Sequence, residues 1–153
     1  MHQNIRRATI QQAQQLSTLC LRSKASWGYD AAFMKKVEPS FVISEQYITD
    51  WPVYVVEEAG TPLGFYGFRI IGDEPFLCDL WIAPEWIGCG LGKQLWLHAL
   101  GVAIGEKYGY FLIESDPNAE AFYLHMGAVR IGTIKSADSG RMLPLLRMDL
   151  PAR

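Results

Sequence analysis

Between positions 80 and 93 the chain reads Leu80-Trp81-Ile82-Ala83-Pro84-Glu85-Trp86-Ile87-Gly88-Cys89-Gly90-Leu91-Gly92-Lys93. Glycines occupy every second position of a loop that leaves a strand and opens a long helix. Glycine takes positive φ without a Cβ penalty, so neighbouring N–H groups can converge on one point. A helix start adds unpaired donors and about half a positive charge. Gly88, Gly90 and Gly92 therefore outline a cradle for phosphate or pyrophosphate, to which Lys93 adds a full charge. The plainer alternative is a tight strand-to-helix turn whose glycines serve packing. Two common nucleotide signatures are not met: the GxGxxG spacing fails after Gly92, and no GxxxxGK[ST] run is present.

The elements that must position this loop follow from pattern. Ile5 to Ala8 reads as a short strand. Residues 11–23 read as a helix, with Ala13, Leu16, Leu19 and Cys20 at helical spacing. Thr9 and Asp30 are its cap and that of a second helix over 31–37. Ser44 opens a helical turn through Ile48. From Trp51 the period shortens to two, and residues 53–58, 63–71 and 76–82 read as an antiparallel meander joined by turn chemistry. A helix over 91–108 follows the glycine loop. A strand over 110–115, a short helix over 118–126 closed by Gly127, and strands over 129–134 and 145–150 complete the chain. The fold class is mixed α/β: a mostly antiparallel central sheet of six or seven strands with helices on both faces.

Composition narrows the function classes. At 153 residues, half of them hydrophobic, the chain is expected to be one domain over 1–153, burying roughly 70% of its unfolded surface. The formal charge of 14 − 16 = −2 argues against a dedicated nucleic-acid binder, which carries a basic face. No run reaches the roughly 18 apolar residues of a membrane span. The start, Met1 to Arg7, lacks the apolar run of a secretory leader, so a soluble cytoplasmic protein is expected. Cys20, Cys78 and Cys89 form no CxxC pair, and His2, His98 and His125 lie far apart. Neither a metal site nor a disulfide framework is expected.

The segment 80–93 resembles motif A of the GNAT superfamily of N-acetyltransferases, whose loop is Gln/Arg-x-x-Gly-x-Gly/Ala after a strand ending in hydrophobic-x-Pro. Gly90 and Gly92 match the two glycines, and Ile82-Ala83-Pro84 matches the strand exit. Ile87 stands at the Gln/Arg position, which removes one side-chain contribution. Downstream, Asp116-Pro117-Asn118-Ala119-Glu120-Ala121-Phe122-Tyr123 and then Gly127-Ala128 are similar to the family's Asn-x-x-Ala-x-x-Phe/Leu-Tyr frame with its following Gly-Ala. Asp116 stands where the family has Asn, and Asn118 lies two residues later, so either is a candidate cofactor contact. The resemblance covers roughly residues 76–128. It implies acetyl-CoA as co-substrate, held by Ile87, Gly88, Cys89, Gly90, Leu91, Gly92 and Lys93, with no metal. It further implies that the N–H groups of about Trp81 and Ile82, on a strand splayed from its neighbour, pair with pantetheine and face the carbonyl oxygen.

Moving an acetyl group from a thioester to an amine sets three demands. The amine must be neutral, although a free alkyl amine has a pKa near ~10; the oxyanion needs a donor; the departing thiolate needs a proton. Tyr123 is the family-matched general acid, against the plainer reading of a core tyrosine. Asp79, in an otherwise apolar strand, and Glu114, at the close of the next, are the candidate bases, against structural ion pairs or removal of the proton through water. Trp27, Tyr29 and Asp30 are candidates to wall a pocket for a cation, against a loop plug and helix cap, and Arg141 is a candidate for a substrate carboxylate. Cys89 reads as a small loop residue rather than a nucleophile. The expected function is acetyl-CoA-dependent N-acetyl transfer to a primary amine of a small molecule or protein. Alternatives are a non-catalytic acyl-CoA-binding or sensing domain and a nucleotide binder with an unusual loop. Exposed C-terminal strands are read as a surface for a homodimer.

Overall fold

The computed structural model describes residues 4–151; Met1 to Gln3, where the absence of a leader is expected, lie outside them. In chain order the elements are β1 (Ile5–Arg7), α1 (Ala13–Ala25), α2 (Ala31–Val37), α3 (Glu45–Asp50), β2 (Val53–Glu58), β3 (Thr61–Ile71), β4 (Glu74–Ile82), α4 (Leu91–Gly105), β5 (Tyr110–Glu114), α5 (Glu120–His125), β6 (Val129–Lys135) and β7 (Met142–Asp149). The seven strands form one sheet in the order β1-β2-β3-β4-β5-β7-β6. Every neighbouring pair is antiparallel except β4 and β5. Among the described residues no helix is long and apolar enough to cross a membrane.

Local chemistry explains the elements. The Asp30 carboxylate accepts from Phe33 N–H at 2.8 Å and starts α2, and Ser44 Oγ accepts from Tyr47 N–H at 3.1 Å and starts α3. The β2–β3 and β3–β4 hairpins turn through Ala59-Gly60 and Gly72-Asp73, all four at positive φ. Such two-residue turns match the twist of the strands they join. Along β2, Val53 and Val55 pack with Leu16, Leu19 and Cys20 of α1, whereas Val56 packs with Leu95 and Trp96 of α4. The sheet thus has a core on each face, one under α1 and α3, the other under α4.

Most boundaries shift by a residue or more from expectation, and three of the shifts have a clear physical reason. A 3-10 turn, Ile10–Gln12, precedes α1, with the Gln12 side chain accepting from Thr9 N–H at 3.0 Å. The long helix stops at Gly105 because Lys107 turns to φ 64°. Strand β7 begins at Met142 and runs through Pro144, which lies one residue beyond the last β5 pair, Glu114 with Leu145. The N–H that proline lacks has no ladder partner there.

One feature of the sheet creates space for a ligand. The parallel pairing of β4 and β5 is confined to Phe76 with Leu112. Beyond that point the strands part toward their C-terminal ends, where the glycine loop and the start of α4 stand. Ligands in α/β sheets bind outside the carboxyl ends of strands at such openings.

Candidate active site

A cleft of about 400 Å³ occupies the opening between β4 and the start of α4. Gly88 and Gly90 take left-handed backbone, at φ 86° and 85°, and Gly90 directly precedes α4. The N–H groups of Gly88, Gly90, Leu91, Gly92 and Lys93 make no hydrogen bond to the described residues. The Cys89 N–H instead reaches Trp86 O at 3.4 Å, and Gln94 N–H closes the first turn on Gly90 O at 3.1 Å. A Cβ on Gly92 would lie 3.3 Å from the Phe122 ring, so glycine lets α5 pack closely beside the loop. Five free donors at a helix start, with Lys93 on the wall, form an anion cradle suited to a pyrophosphate. Ile87 and Lys93 line the cleft, whereas the Leu91 side chain is buried under α4 and Cys89 is exposed.

The β4 edge is available to an extended ligand. Ala83 N–H bonds to Leu63 O of β3 at 2.8 Å. Donor directions alternate along a strand, so the Trp81 amide also faces β3 while those of Leu80 and Ile82 face the opening. Leu80, Trp81 and Ile82 all line the cleft, as do Trp27 and Asn118.

A second cleft, of about 290 Å³, lies beside the first and is walled by Phe41, Phe76, Leu77, Leu143 and the β6–β7 loop. Its polar center is Asp116, whose side chain is 6% exposed. This carboxylate accepts from Lys24 Nζ at 2.8 Å, from the Tyr29 hydroxyl at 2.8 Å and from Asn118 N–H at 2.8 Å. Burial raises the pKa of Asp116, but these donors outweigh it and hold the group below the usual carboxylate range. Arg141 donates to the Tyr29 hydroxyl at 3.1 Å, with its guanidinium 4.7 Å from the Phe33 ring. Asp116 and Asn118 therefore divide the space: Asp116 lines the second cleft and Asn118 the first.

The candidate acid and bases occupy different environments. Tyr123 lines the first cleft and is 7% exposed, and its hydroxyl makes no hydrogen bond to the described residues. Burial, then the charges of Asp79 and Asp116, raise its pKa well above that of a free tyrosine, so it keeps its proton. Glu114 lines the second cleft, where burial and then the facing Asp138 carboxylate raise its pKa. Asp79, on β4, lines neither cleft: Oδ2 accepts from the Tyr47 hydroxyl and Oδ1 from Trp81 Nε1, each at 2.9 Å. Asp30 lines neither cleft, since its carboxylate caps α2.

Sequence reasoning passed over Lys24, Phe41, Ser136 and Asp138, all of which line the second cleft. Lys24 carried a signal: it continues the buried face of α1 formed by Leu16, Cys20 and Ser23, where a lysine needs a partner. Asp138 carried none, because a loop brings it to the cleft.

The profile of the acetyltransferase (GNAT) family matches residues 23–128, a span that contains the glycine loop, Asp116 and Tyr123. The chain is 28% identical over 149 residues to the peptidyl-lysine N-acetyltransferase YjaB of Salmonella typhimurium, covering 97% of this chain and 98% of that one. Its fold is similar to a GCN5-related N-acetyltransferase from Rhodopseudomonas palustris (TM-score 0.83, 14% identity, 98% and 97% of the two chains). It is likewise similar to the paia N-acetyltransferase of Thermoplasma acidophilum solved with coenzyme A (TM-score 0.78, 16% identity, 97% and 99%). A glycine-loop cradle opening on a splayed β4, within a family match that spans more than half the sequence, leads to one conclusion: the chain belongs to the acetyltransferase (GNAT) family.

Proposed function

We propose that the protein transfers an acetyl group from acetyl-CoA to a primary amine carried on an alkyl stem, a lysine side chain being one such acceptor. The observation that carries this reading is the row of free N–H groups at the start of α4, opening on a cleft that adjoins a second, mixed-charge cleft. The residues present suit coenzyme A: the loop amides and Lys93 hold the pyrophosphate, and the Ile82 and Leu80 amides pair with the pantetheine. Bound there, coenzyme A supplies the acetyl thioester. Apolar walls and the Glu114 and Asp138 carboxylates of the second cleft suit an alkylammonium. In the transfer the amine nitrogen forms a bond to the acetyl carbon and the carbon–sulfur bond breaks. An acceptor that arrives as the ammonium first loses one proton to water; Glu114 then takes the proton that the attacking nitrogen sheds, and Tyr123 supplies the proton of the thiol, after which exchange with solvent resets both. The likeness to the peptidyl-lysine N-acetyltransferase supports a lysine acceptor.

Release of free thiol from acetyl-CoA, followed across alkylamines, amino acids and lysine peptides, tests the reading. Amine-dependent release with an N-acetylated product is expected. Saturable cofactor binding without any such release would instead identify a non-catalytic acyl-CoA binder.

Two further outcomes follow. Gly90→Ala is expected to weaken coenzyme A binding about 10-fold in titration calorimetry, because an L-residue in left-handed backbone is disfavoured by roughly 1–2 kcal/mol. Glu114 acts as a base only when ionised, so kcat/KM falls as pH drops through its raised pKa, above the ordinary ~4.3 of a glutamate. Glu114→Gln is expected to remove the steepening of the profile that begins at the Glu114 pKa, leaving only the fall due to protonation of the amine; a steepening that persists in the variant contradicts the assignment.

A further inference from the structure

One residue lines both clefts and so stands where they adjoin: Trp81. Trp81 is 9% exposed, and its ring is held on several sides. Nε1 donates to Asp79 Oδ1 at 2.9 Å. Trp27 flanks the ring at 6.0 Å between centroids, and Phe41 meets it edge-on at 5.5 Å. Asp79 is itself anchored, for its other oxygen accepts from the Tyr47 hydroxyl at 2.9 Å. That bond depends on Gly67, the residue paired with Asp79 across the β3–β4 ladder. A Cβ at position 67 would fall 2.0 Å from the Tyr47 oxygen. Glycine opens the passage through which Tyr47 reaches the carboxylate. No salt bridge joins Asp79 to a cation among the described residues, so its oxygens serve neutral donors that fix one aromatic ring.

The acyl carbon would arrive bonded to sulfur through one cleft and must be reached by the amine from the other. It therefore lies where the clefts adjoin, and the residue that lines both, its ring set between Trp27 of the first cleft and Phe41 of the second, is its neighbour. Resting on the transfer reading above, we propose that the Trp81 ring is the wall that limits the length of the acyl group, and that Asp79 is the positioning residue that holds this wall in place. The choice of acetyl over longer acyl groups then resides in the Trp81 side chain, apart from the backbone of β4. Asp79 acts through that ring and takes no proton from the acceptor. A site shaped to one methylene discriminates by about 10- to 200-fold, and an indole held on several sides is stiff enough to do so.

The test compares acetyl-CoA, propionyl-CoA and butyryl-CoA by titration calorimetry and by kcat/KM with a single amine. Calorimetry needs no acceptor, so failure to acetylate any amine, which overturns the transfer reading, leaves the wall testable. Trp81→Leu is expected to shift the butyryl-to-acetyl ratio toward butyryl by about 10-fold or more, in affinity and in kcat/KM. Trp81→Phe is expected to give a smaller shift in the same direction, and it carries the test should the leucine variant fail to fold by circular dichroism. Asp79→Asn keeps an oxygen for the indole but turns an N–H donor toward Tyr47, so that the hydroxyl must accept instead of donate; a partial shift in the acyl ratio is expected, with the pH dependence due to Glu114 retained. An unchanged ratio in a folded Trp81 variant overturns the wall. An unchanged ratio in Asp79→Asn, or loss of that pH dependence, overturns the positioning role.

Discussion

Tyr123→Phe is expected to lower turnover by about 10²-fold or more while leaving coenzyme A affinity nearly intact. General acid catalysis contributes about 10²- to 10⁴-fold, and the substitution removes only the proton that the leaving sulfur requires. The ring is the part of Tyr123 that packs, against Trp96 at 5.7 Å and Phe122 at 5.4 Å between centroids, and phenylalanine keeps it. The hydroxyl has no partner among the described residues whose loss would disturb the fold. Single-turnover rates with saturating acetyl-CoA, alongside calorimetric affinities, separate the two effects. A phenylalanine variant with wild-type turnover removes Tyr123 from the reaction.

The second large effect concerns stability. Lys24→Met is expected to destabilise the protein by about 3 kcal/mol in urea denaturation, the lower end of what removing one partner of a buried ion pair costs. Methionine preserves the stem between the Phe41 and Tyr29 rings, each 5.1 Å from the ammonium. Asp116 would keep Tyr29 and Asn118 as donors but lose its nearby full charge, with Arg141 still 3.9 Å away. The pH dependence has a definite sign. The folded pKa of Asp116 lies below its unfolded value near ~3.9, so its contribution is complete above that value and disappears as pH falls through the folded pKa. Wild-type protein is thus expected to lose stability more steeply than Lys24→Met in strongly acid buffer. Parallel losses in the two proteins would show that the pair contributes little.

The legible and illegible parts of this molecule differ in kind. The cradle could be read because it is made of backbone: alternate glycines after a strand and before a helix leave few geometries open. Strands and helices were equally readable, with β2 (Val53–Glu58) marked by its period and α2 (Ala31–Val37) by its cap. The Asp116 cluster could not be read. It joins Lys24 from α1, Tyr29 from the following loop, Asn118 from the turn before α5 and Arg141 from the β6–β7 loop. Local spacing does not encode such distant meetings. Trp27, considered for an acceptor pocket, stands instead on the cleft of the glycine loop, because the last turn of α1 overlooks the start of α4. Asp79 looked like a base because a carboxylate in an apolar strand demands an explanation; its partners, Tyr47 and the indole of Trp81, come into view only once β3 brings Gly67 beside it.

The bare amides of the 88–93 turn can be observed one by one. In a 15N–1H correlation spectrum titrated with coenzyme A, the signals of Gly88, Gly90, Leu91, Gly92 and Lys93 are expected to move together and to saturate with the bulk affinity, as new hydrogen bonds to pyrophosphate oxygens form. Acetyl-pantetheine, which lacks the pyrophosphate, is expected to leave them in place. Saturation by coenzyme A with these five signals unmoved would contradict the account at its root.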